Sequence, residues 1–561
     1  MSRQAEVVRS LLATLVAGGL RHLVISPGSR STPLVQAANE RAELTLHVVL
    51  DERAAGFFAL GLARATQTLC GTVCTSGSAV AHVLPAAIEA TESGDALVAL
   101  TADRPAAVRG LGASQAILQP GLLAPYAQHF AEIDAQHPDV DALLATLQHA
   151  LGEASSRGGV VHVNVPLSLP LALTPGDLPL LPSPLTAPQR PLQPAVPPPA
   201  PNERVLLLAG PLAFSDDVAP FLRARLPRHQ VVVFAEPASR LRDALGSVRH
   251  ADAFLRDAEV RAALLPDRIL RLGAWPISKG AQLVLEDAKR LGIPADTVQP
   301  RRFSDPLRQN RLTSLDGIPD ALRLWPVADG QREPLPWIAD WQVIDAAVAP
   351  PASDWHEASA IDAVARTLHK EQTLVLGNSM PVRDWESFAP ELDAHIHVEV
   401  SRGAAGIDGT LATIAGLAVG RAQQVTAYLG DCTFLHDVGS LQILAQLNGR
   451  HAGIRLCVVD NDGGAIFDYL PARSAMPESV HVACFTTPHG LNLAEIARGF
   501  GLDVIACADL AAWRDAVAEP VRPGRTQVLL ARFERTSSEA MHRAYWLAAG
   551  QAGRLALSVR A

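Results

Sequence analysis

Short apolar runs punctuate the first part of the chain, at 22–26, 45–50, 72–75, 96–101 and 160–165, and segments of helical periodicity lie between them. Strands this short and this apolar, alternating with helices, predict a parallel sheet covered on both faces. The theme recurs at 205–209, 230–234 and 268–272, and again at 373–376, 425–429, 454–459 and 527–531. The fold class read from this pattern is α/β, with three successive open parallel-sheet domains.

Two proline-bearing stretches divide the three. In 175–201 prolines recur every few residues and end in Pro197-Pro198-Pro199-Ala200-Pro201. Such a run enters neither a helix nor a central strand and predicts an extended, semi-rigid linker. In 326–355, Pro334, Pro336, Pro350 and Pro351 interrupt the periodicity. The predicted domains are therefore 1–174, 202–325 and 356–561, joined by linkers 175–201 and 326–355.

Bulk properties narrow the class. A chain of 561 residues is too long for one core, at roughly 100 to 200 residues per domain. Apolar residues make up 48% and charged residues 19%, the balance of a globular protein and not of a disordered or fibrous one. A net charge of -9 argues against a general nucleic-acid binder. No run of ~20 apolar residues supports a membrane span, and Met1 to Arg9 lacks the basic-then-apolar order of a secretory signal, so a cytoplasmic location is expected. The six cysteines, Cys70, Cys74, Cys432, Cys457, Cys484 and Cys507, form no CxxC pair and predict reduced, buried thiols instead of a zinc site or disulfide framework. No strand-anchored GxGxxG with a downstream acid supports NAD binding.

Ligands of open parallel sheets bind beyond the carboxyl ends of the strands, and the polar motifs of this chain concentrate there. Gly430-Asp431 follows one predicted strand and Asp460-Asn461-Asp462-Gly463-Gly464 follows the next. Asp431 and Asn461 are hard oxygen ligands at adjoining strand ends, a set suited to Mg2+ completed by phosphate oxygens; the glycines let backbone come close. Ser26-Pro27-Gly28-Ser29-Arg30-Ser31-Thr32-Pro33 reads either as an anion site or as a capped turn. Asp51-Glu52-Arg53 reads as a helix cap or as a functional carboxylate. Thr75-Ser76-Gly77-Ser78 and Thr101-Ala102-Asp103-Arg104-Pro105 end two further strands, with Gln115 shortly beyond, and Arg104 either forks onto a carboxylate or pairs with Asp103. In the third block Gly377-Asn378-Ser379-Met380-Pro381-Val382-Arg383 and Ser401-Arg402-Gly403-Ala404-Ala405-Gly406-Ile407-Asp408-Gly409 follow strands. The glycines of 401–409 resemble a phosphate turn, and Ile407 taken alone reads as packing at a helix start.

A strand-end glutamate in the first block together with Gly-Asp and Asn-Asp-Gly-Gly in the last resembles the thiamine-diphosphate-dependent enzymes. The segments 26–34, 51–53, 101–105, 401–409 and 463–467, in this order over nearly the full length, resemble more narrowly the MenD family, the 2-succinyl-5-enolpyruvyl-6-hydroxy-3-cyclohexene-1-carboxylate synthases of menaquinone biosynthesis. The resemblance implies three domains of the thiamine-diphosphate-enzyme type: pyrimidine-binding, central, and diphosphate-binding. It implies a transferase that decarboxylates 2-oxoglutarate on thiamine diphosphate and adds the succinyl carbanion equivalent to isochorismate. Glu52 would be the catalytic residue, protonating the aminopyrimidine ring. Thr75, Gly77, Ser379 and Thr433 would contact the cofactor, and Ile407 would wedge it into its bent form. Asp431, Asn461 and the Gly463 carbonyl would hold Mg2+ or Mn2+ against the diphosphate.

The substrates carry carboxylates, which gives Arg30, Arg104, Arg383 and Arg402 a role as forks and charges; Ser29, Gln115 and Lys279 match further substrate contacts. Ile466, Phe467 and Leu470 would form an apolar wall against water, the first two also touching cofactor. The resemblance further implies a homodimer or homotetramer with its active site between subunits. Three departures stand out: Gly280 after Lys279, Ser114 before Gln115, and Asp462 in the metal loop. The alternatives are an acetolactate-type carboligase or simple 2-oxoacid decarboxylase, and a non-catalytic sensor on the same fold.

Overall fold

The computed structural model describes residues 2–183, 192–212, 218–299, 305–328, 330, 332–351, 354–447 and 449–560. Their strands form three sheets in which every pairing is parallel. The first contains β1 (Leu20–Ile25), β2 (Thr45–Val48), β3 (Leu69–Cys74), β4 (Ala96–Asp103), β5 (Ala127–Glu132) and β6 (Gly159–Pro166), in the order β2-β1-β3-β4-β6-β5. The second contains β7 (Val205–Ala209), β8 (Val231–Ala235), β9 (Arg268–Leu272), β10 (Ala295–Val298) and β11 (Asn310–Ser314), in the order β11-β10-β9-β7-β8. The third contains β12 (Thr373–Leu376), β13 (His397–Glu399), β14 (Val425–Gly430), β15 (Ile454–Asp460), β16 (Asp503–Cys507) and β17 (Thr526–Arg532), in the order β13-β12-β14-β15-β17-β16. The α/β fold with three open parallel sheets is thus as the apolar runs predict.

Every predicted run overlaps one of these strands, with 22–26, 45–50, 72–75 and 230–234 passing a strand end by one or two residues. The strands that periodicity does not reveal are β5, β10, β11, β13 and β16. Four of these are sheet edges, where one side of the strand needs no apolar cover. The fifth, β10, is internal but contains Asp296, a buried carboxylate held by Arg268 at 2.6 Å and Arg311 at 2.6 Å. An ion pair there stands where an apolar residue would have signalled the strand.

The two proline-bearing stretches differ in local structure. Residues 184–191 of the 175–201 stretch lie outside the described residues, as do 329, 331, 352 and 353 of the 326–355 stretch. The rest of the first stretch holds no helix or strand. The second holds a helix, Pro336–Ala347, because Pro336 sits in the first turn, where a missing N–H costs nothing. Its Trp337, Ile338, Trp341 and Ile344 are buried. They join the core that also takes Leu206 and Phe234 from the second sheet and Trp385, Tyr428 and Trp513 from the third block.

The chain divides into two compact units, one of residues 1–190, 401–422 and 436–452 and the other of 191–400, 423–435 and 453–561. In the first, helix α1 (Glu52–Thr66) packs along helix α2 (Thr410–Arg421). Asp51 caps α1, accepting from the amides of Arg53 at 2.8 Å and Ala54 at 3.3 Å. The contact is made backbone to backbone. A Cβ on Gly61 would overlap the carbonyl oxygen of Thr413 and stand 3.0 Å from the amide nitrogen of Leu417; one on Gly416 would overlap the carbonyl of Phe58 and stand 2.8 Å from the amide of Leu62. Below them, Arg64 pairs with Glu89 at 3.1 Å and Asp95 at 2.8 Å, while Glu89 accepts from the amides of Gly403 and Ala404 at 3.0 and 2.7 Å. The 401–422 segment is therefore part of the first unit's core.

Two smaller findings qualify the expectations from sequence. All six cysteines are free, but Cys484 is exposed and Cys432 half-buried, so buried thiols describe only the other four. Among the described residues no helix is long and apolar enough to cross a membrane. The helix pair yields a prediction. Gly61→Ala and Gly416→Ala should each lower the thermal midpoint, a loss of roughly 1–3 kcal/mol from overpacking, although alanine alone favours a helix interior by about 1 kcal/mol. Denaturation curves showing either variant as stable as the parent would refute the close approach.

Candidate active site

In the first unit the strand-end loops converge. A Cβ on Gly28 would run into the Thr75 side chain, with Cγ2 at 2.9 Å, so the loop carrying Ser29 and Arg30 touches the end of β3. Arg104 does not pair through its side chain with Asp103, which instead takes Arg109 at 2.7 Å. The Arg104 guanidinium donates to Ser76 Oγ at 2.8 Å and Gln115 Oε1 at 3.4 Å. Arg30 donates to the Leu167 carbonyl at 2.7 Å, and its Nε is buried without a partner. Burial, and after it the nearby charge of Arg104, pulls the Arg30 pKa below its ordinary value. Two crowded guanidiniums with donor capacity to spare form a site for an anion.

Backbone strain gathers here as well. Gly77 has φ +90° and Gln115 φ +55°, left-handed values that an L residue such as Gln115 rarely adopts. Gln119, which no sequence motif singles out, is fully buried and ties the cluster together. Its amide oxygen accepts from Gly77 at 3.2 Å, and its nitrogen donates to the Ala102 carbonyl at 2.9 Å and Asn164 at 2.8 Å. Glu52 opens α1, close enough to the end of β3 that its charge adds to the burial raising the Cys74 thiol. Gly409, two residues past Ile407, lies against the Phe57 ring of α1, so the loop bearing Arg402 and the half-buried Ile407 belongs to the same unit as Glu52. Ser114 is exposed, and nothing in the structure explains it.

The second unit holds the carboxylate set. Asp431 follows β14 directly and is buried, as is Thr433 beyond it. Asp431 Oδ2 accepts from the amides of Gly463 at 2.8 Å and Asn461 at 3.2 Å, and Oδ1 from that of Cys432 at 2.5 Å. Burial pushes the Asp431 carboxyl up despite these bonds. Asn461 Oδ1 is buried with no partner. An orphaned amide oxygen beside a buried carboxylate is what a hard divalent cation satisfies, and Asp431 with Asn461 fits one.

His489 joins this set without any sign in the sequence. Its Nε2 stands 3.3 Å from Asp431 Oδ2 and 3.6 Å from Asp460 Oδ1, and these three residues offer ligand atoms all within 4.8 Å of one another. A lone histidine after a proline gives no periodic or spacing signal. The Asp462 departure has a structural role. With φ +59°, its Oδ1 accepts from the Gly490 amide at 2.7 Å and lies 3.6 Å from His489 Nδ1, so it fixes the loop that carries His489.

Ser379, at φ +73°, precedes the helix Met380–Phe388, and its carbonyl accepts from Arg383 at 2.5 Å. Burial lowers the Arg383 pKa, with Asp252, Asp384 and Glu236 opposing. Lys279 starts the helix Lys279–Leu291 and points to Glu286 at 3.5 Å near solvent, outside the Asp431 cluster. The departure at Gly280 is steric: a Cβ would lie 2.8 Å from the Asp252 carbonyl oxygen. Ile466 and Phe467 are half-buried on a short 3-10 turn, Ala465–Tyr469, and Leu470 beyond it is exposed.

Comparison with known proteins finds one family along the chain. Residues 5–123 match the family described as thiamine pyrophosphate enzyme, N-terminal TPP binding domain. A 2-succinyl-5-enolpyruvyl-6-hydroxy-3-cyclohexene-1-carboxylate synthase of Geobacillus thermodenitrificans is 33% identical over 96% of this chain and 95% of its own. Proteins of the same description from Chloroflexus aurantiacus, 33% identical over 96% of this chain and 95% of theirs, and Sorangium cellulosum, 35% identical over 87% and 86%, are similar as well.

The helix bearing Arg383 and the turn bearing Phe467 are tied to one group. His542, fully buried, reaches Asp384 with Nε2 at 2.9 Å, and its Nδ1 lies 2.8 Å from the Ser538 carbonyl and 3.2 Å from the Tyr469 hydroxyl. Burial opposes its charge, but Asp384 and, less strongly, Glu357 outweigh it and hold the pKa at about 8. A histidine raised above its unfolded value near 6.5 stabilises fully below that value and loses the contribution as pH rises through about 8. Glu357, raised by burial, also favours its protonated form, so it does not reverse the sign. The thermal midpoint should therefore fall between roughly pH 6 and 9, by the equivalent of about 2 kcal/mol, and His542→Gln should flatten that slope. An unchanged slope in the variant would assign the pH dependence elsewhere.

Proposed function

The chain belongs to the 2-succinyl-5-enolpyruvyl-6-hydroxy-3-cyclohexene-1-carboxylate synthases, a thiamine-diphosphate-dependent family, and from that premise we propose how its own residues divide the work. The reaction decarboxylates 2-oxoglutarate and adds the succinyl unit to isochorismate in menaquinone biosynthesis. Thiamine diphosphate, when bound, supplies the electron sink for breaking the carbon–carbon bond to CO2 and making the new one.

Glu52 holds and returns a proton at the aminopyrimidine ring nitrogen. Its place at the start of α1 supports this, because the Asp51 cap and the close packing behind it fix the carboxylate's point of departure. Thr75, Gly77 and Ser379 line the cofactor, Thr433 faces its diphosphate end, and Ile407 supports its bend. Asp431, Asn461 and the Gly463 carbonyl hold Mg2+ or Mn2+ against the diphosphate. The unpartnered Oδ1 of Asn461 beside Asp431 is the observation that carries this assignment.

Arg30 and Arg104 bind substrate carboxylate, which relieves the crowding of two guanidiniums. Ser29, Gln115 and Arg402 extend that surface, and Arg383 with Lys279 meets the second substrate's charges. Ile466, Phe467 and Leu470 keep water from the reacting carbon. The three sheets correspond to a pyrimidine-binding domain at 1–174, a central domain at 202–325 and a diphosphate-binding domain at 356–561. The enzyme works in the cytoplasm as a homodimer or homotetramer, its active site between subunits, with Glu52 supplied by one copy and the metal set by its partner.

Incubation with 2-oxoglutarate and isochorismate should yield a product of the mass of the family's named compound, with release of CO2. Turnover of pyruvate without turnover of this pair would replace the reading with another carboligase or decarboxylase. Glu52→Gln should lower turnover by about 100-fold or more, while thiamine diphosphate binding, followed by calorimetry, stays within a few-fold. Unchanged turnover in that variant would remove Glu52 from the proton path.

A further inference from the structure

The wall segment 465–470 is not held in place by apolar packing on all sides. A cavity of about 480 Å3 opens beside it, lined among others by Asp468, Leu470, Arg473, His481 and Arg543. What holds the segment is charge. Asp468, buried, accepts from Arg535 at 3.1 and 3.3 Å and faces His481 Nε2 at 3.0 Å, with Arg473 farther off at 3.9 Å. Its backbone carbonyl accepts from Arg543 at 3.1 Å. The same Arg535 donates to Thr486 Oγ1 at 2.9 Å, and the Thr486 carbonyl accepts from the Gly464 amide at 2.7 Å.

These bonds close a ring: Gly464 to Thr486, Thr486 to Arg535, Arg535 to Asp468, and the chain from 468 back to 464. Ile466 and Phe467 lie between the two pins. The aromatic contacts reinforce it. Phe467 packs edge-on against Phe485 at 5.7 Å between centroids, and Phe485 stacks on His481 at 5.8 Å and 12°. His481 thus joins the Asp468 carboxylate to the face on which Phe467 rests. Removing one carboxylate charge loosens the Asp468 pin directly and leaves the Arg535 that braces Thr486, and through it Gly464, without its counter-ion, while no apolar contact is removed.

We propose that Asp468, through Arg535 and His481, is a positioning residue that sets the aim of Phe467 and Leu470 and so decides whether the second substrate or a proton reaches the reacting carbon. This rests on the reading of the wall given above. When the wall is misplaced, 2-oxoglutarate loses CO2 and takes up one proton, leaving as the free four-carbon aldehyde acid, and isochorismate is not consumed.

The decisive comparison is between the parent enzyme and its Asp468→Asn and Arg535→Gln variants, each carrying thiamine diphosphate and Mg2+. We expect the KM for isochorismate to rise about 10- to 100-fold and the share of CO2 release that ends as aldehyde to rise with it. The cofactor Kd should stay within about threefold of the parent. Amide hydrogen exchange in 464–470 should accelerate in both variants, a readout independent of turnover. An unchanged KM and product ratio would overturn the proposal, and so would a loss of all activities in step with the thermal midpoint, which marks a purely structural role. If the parent enzyme itself does not convert the pair of substrates, the functional reading fails instead, and faster exchange in 464–470 would still report the pins.

Discussion

The near-contact of two helix backbones, α1 and α2, governs the first unit. Gly61 and Gly416 remove the side chains that would otherwise hold the helices apart, and the carbonyls of Thr413 and Phe58 occupy the space gained. Two helices this close cannot slide without collision, so Glu52 at the head of one and the 401–409 loop at the head of the other share a fixed frame. The buried Arg64, with Glu89 and Asp95, supports it from below. Removing Arg64 would leave Glu89 and Asp95 buried without the cation they share, which is costly. Packing and electrostatics therefore constrain the same segment from two sides.

The polar residues of interest stand at the carboxyl ends of parallel strands, where the sheet stops and backbone and side chains turn toward ligand. The two units leave opposite electrostatic needs unmet. In the first, Arg30 and Arg104 crowd positive charge in a buried setting, and Asp103 offsets it only in part. In the second, Asp431 is buried among backbone donors and Asn461 offers an oxygen to nothing. Each is costly in isolation and sensible for a protein whose ligands are thiamine diphosphate and carboxylated substrates.

Much of this was legible in the sequence, for a physical reason. Interior strands of parallel sheets are buried on both faces and announce themselves as apolar runs, which is why β3, β4, β7, β9, β14 and β15 stand out. Edge strands carry no such demand, and Asp296 shows how an internal strand hides behind an ion pair. Asp431 and Asn461 were visible because strand-end position and residue type coincide. His489 and Gln119 were not, because each reaches its cluster from a loop distant in sequence, through contacts that no local pattern encodes. The Asp462 departure became intelligible only with Gly490 in view. Gly280 likewise needed the Asp252 backbone to explain it.

The first unit is assembled from three separate pieces of chain, and two of them, 401–422 and 436–452, are short inserts taken from within the third α/β block. Modules that evolve by exchange are normally continuous, so that one crossover transfers a working part. Here a crossover anywhere between residues 190 and 401 would pair one parent's α1 with the other parent's α2. Recombination at the obvious proline-rich seam would succeed only between parents whose glycines and facing carbonyls already match. For this architecture the unit of inheritance is larger than the sheet, and the seam most visible in the sequence is not a place to cut.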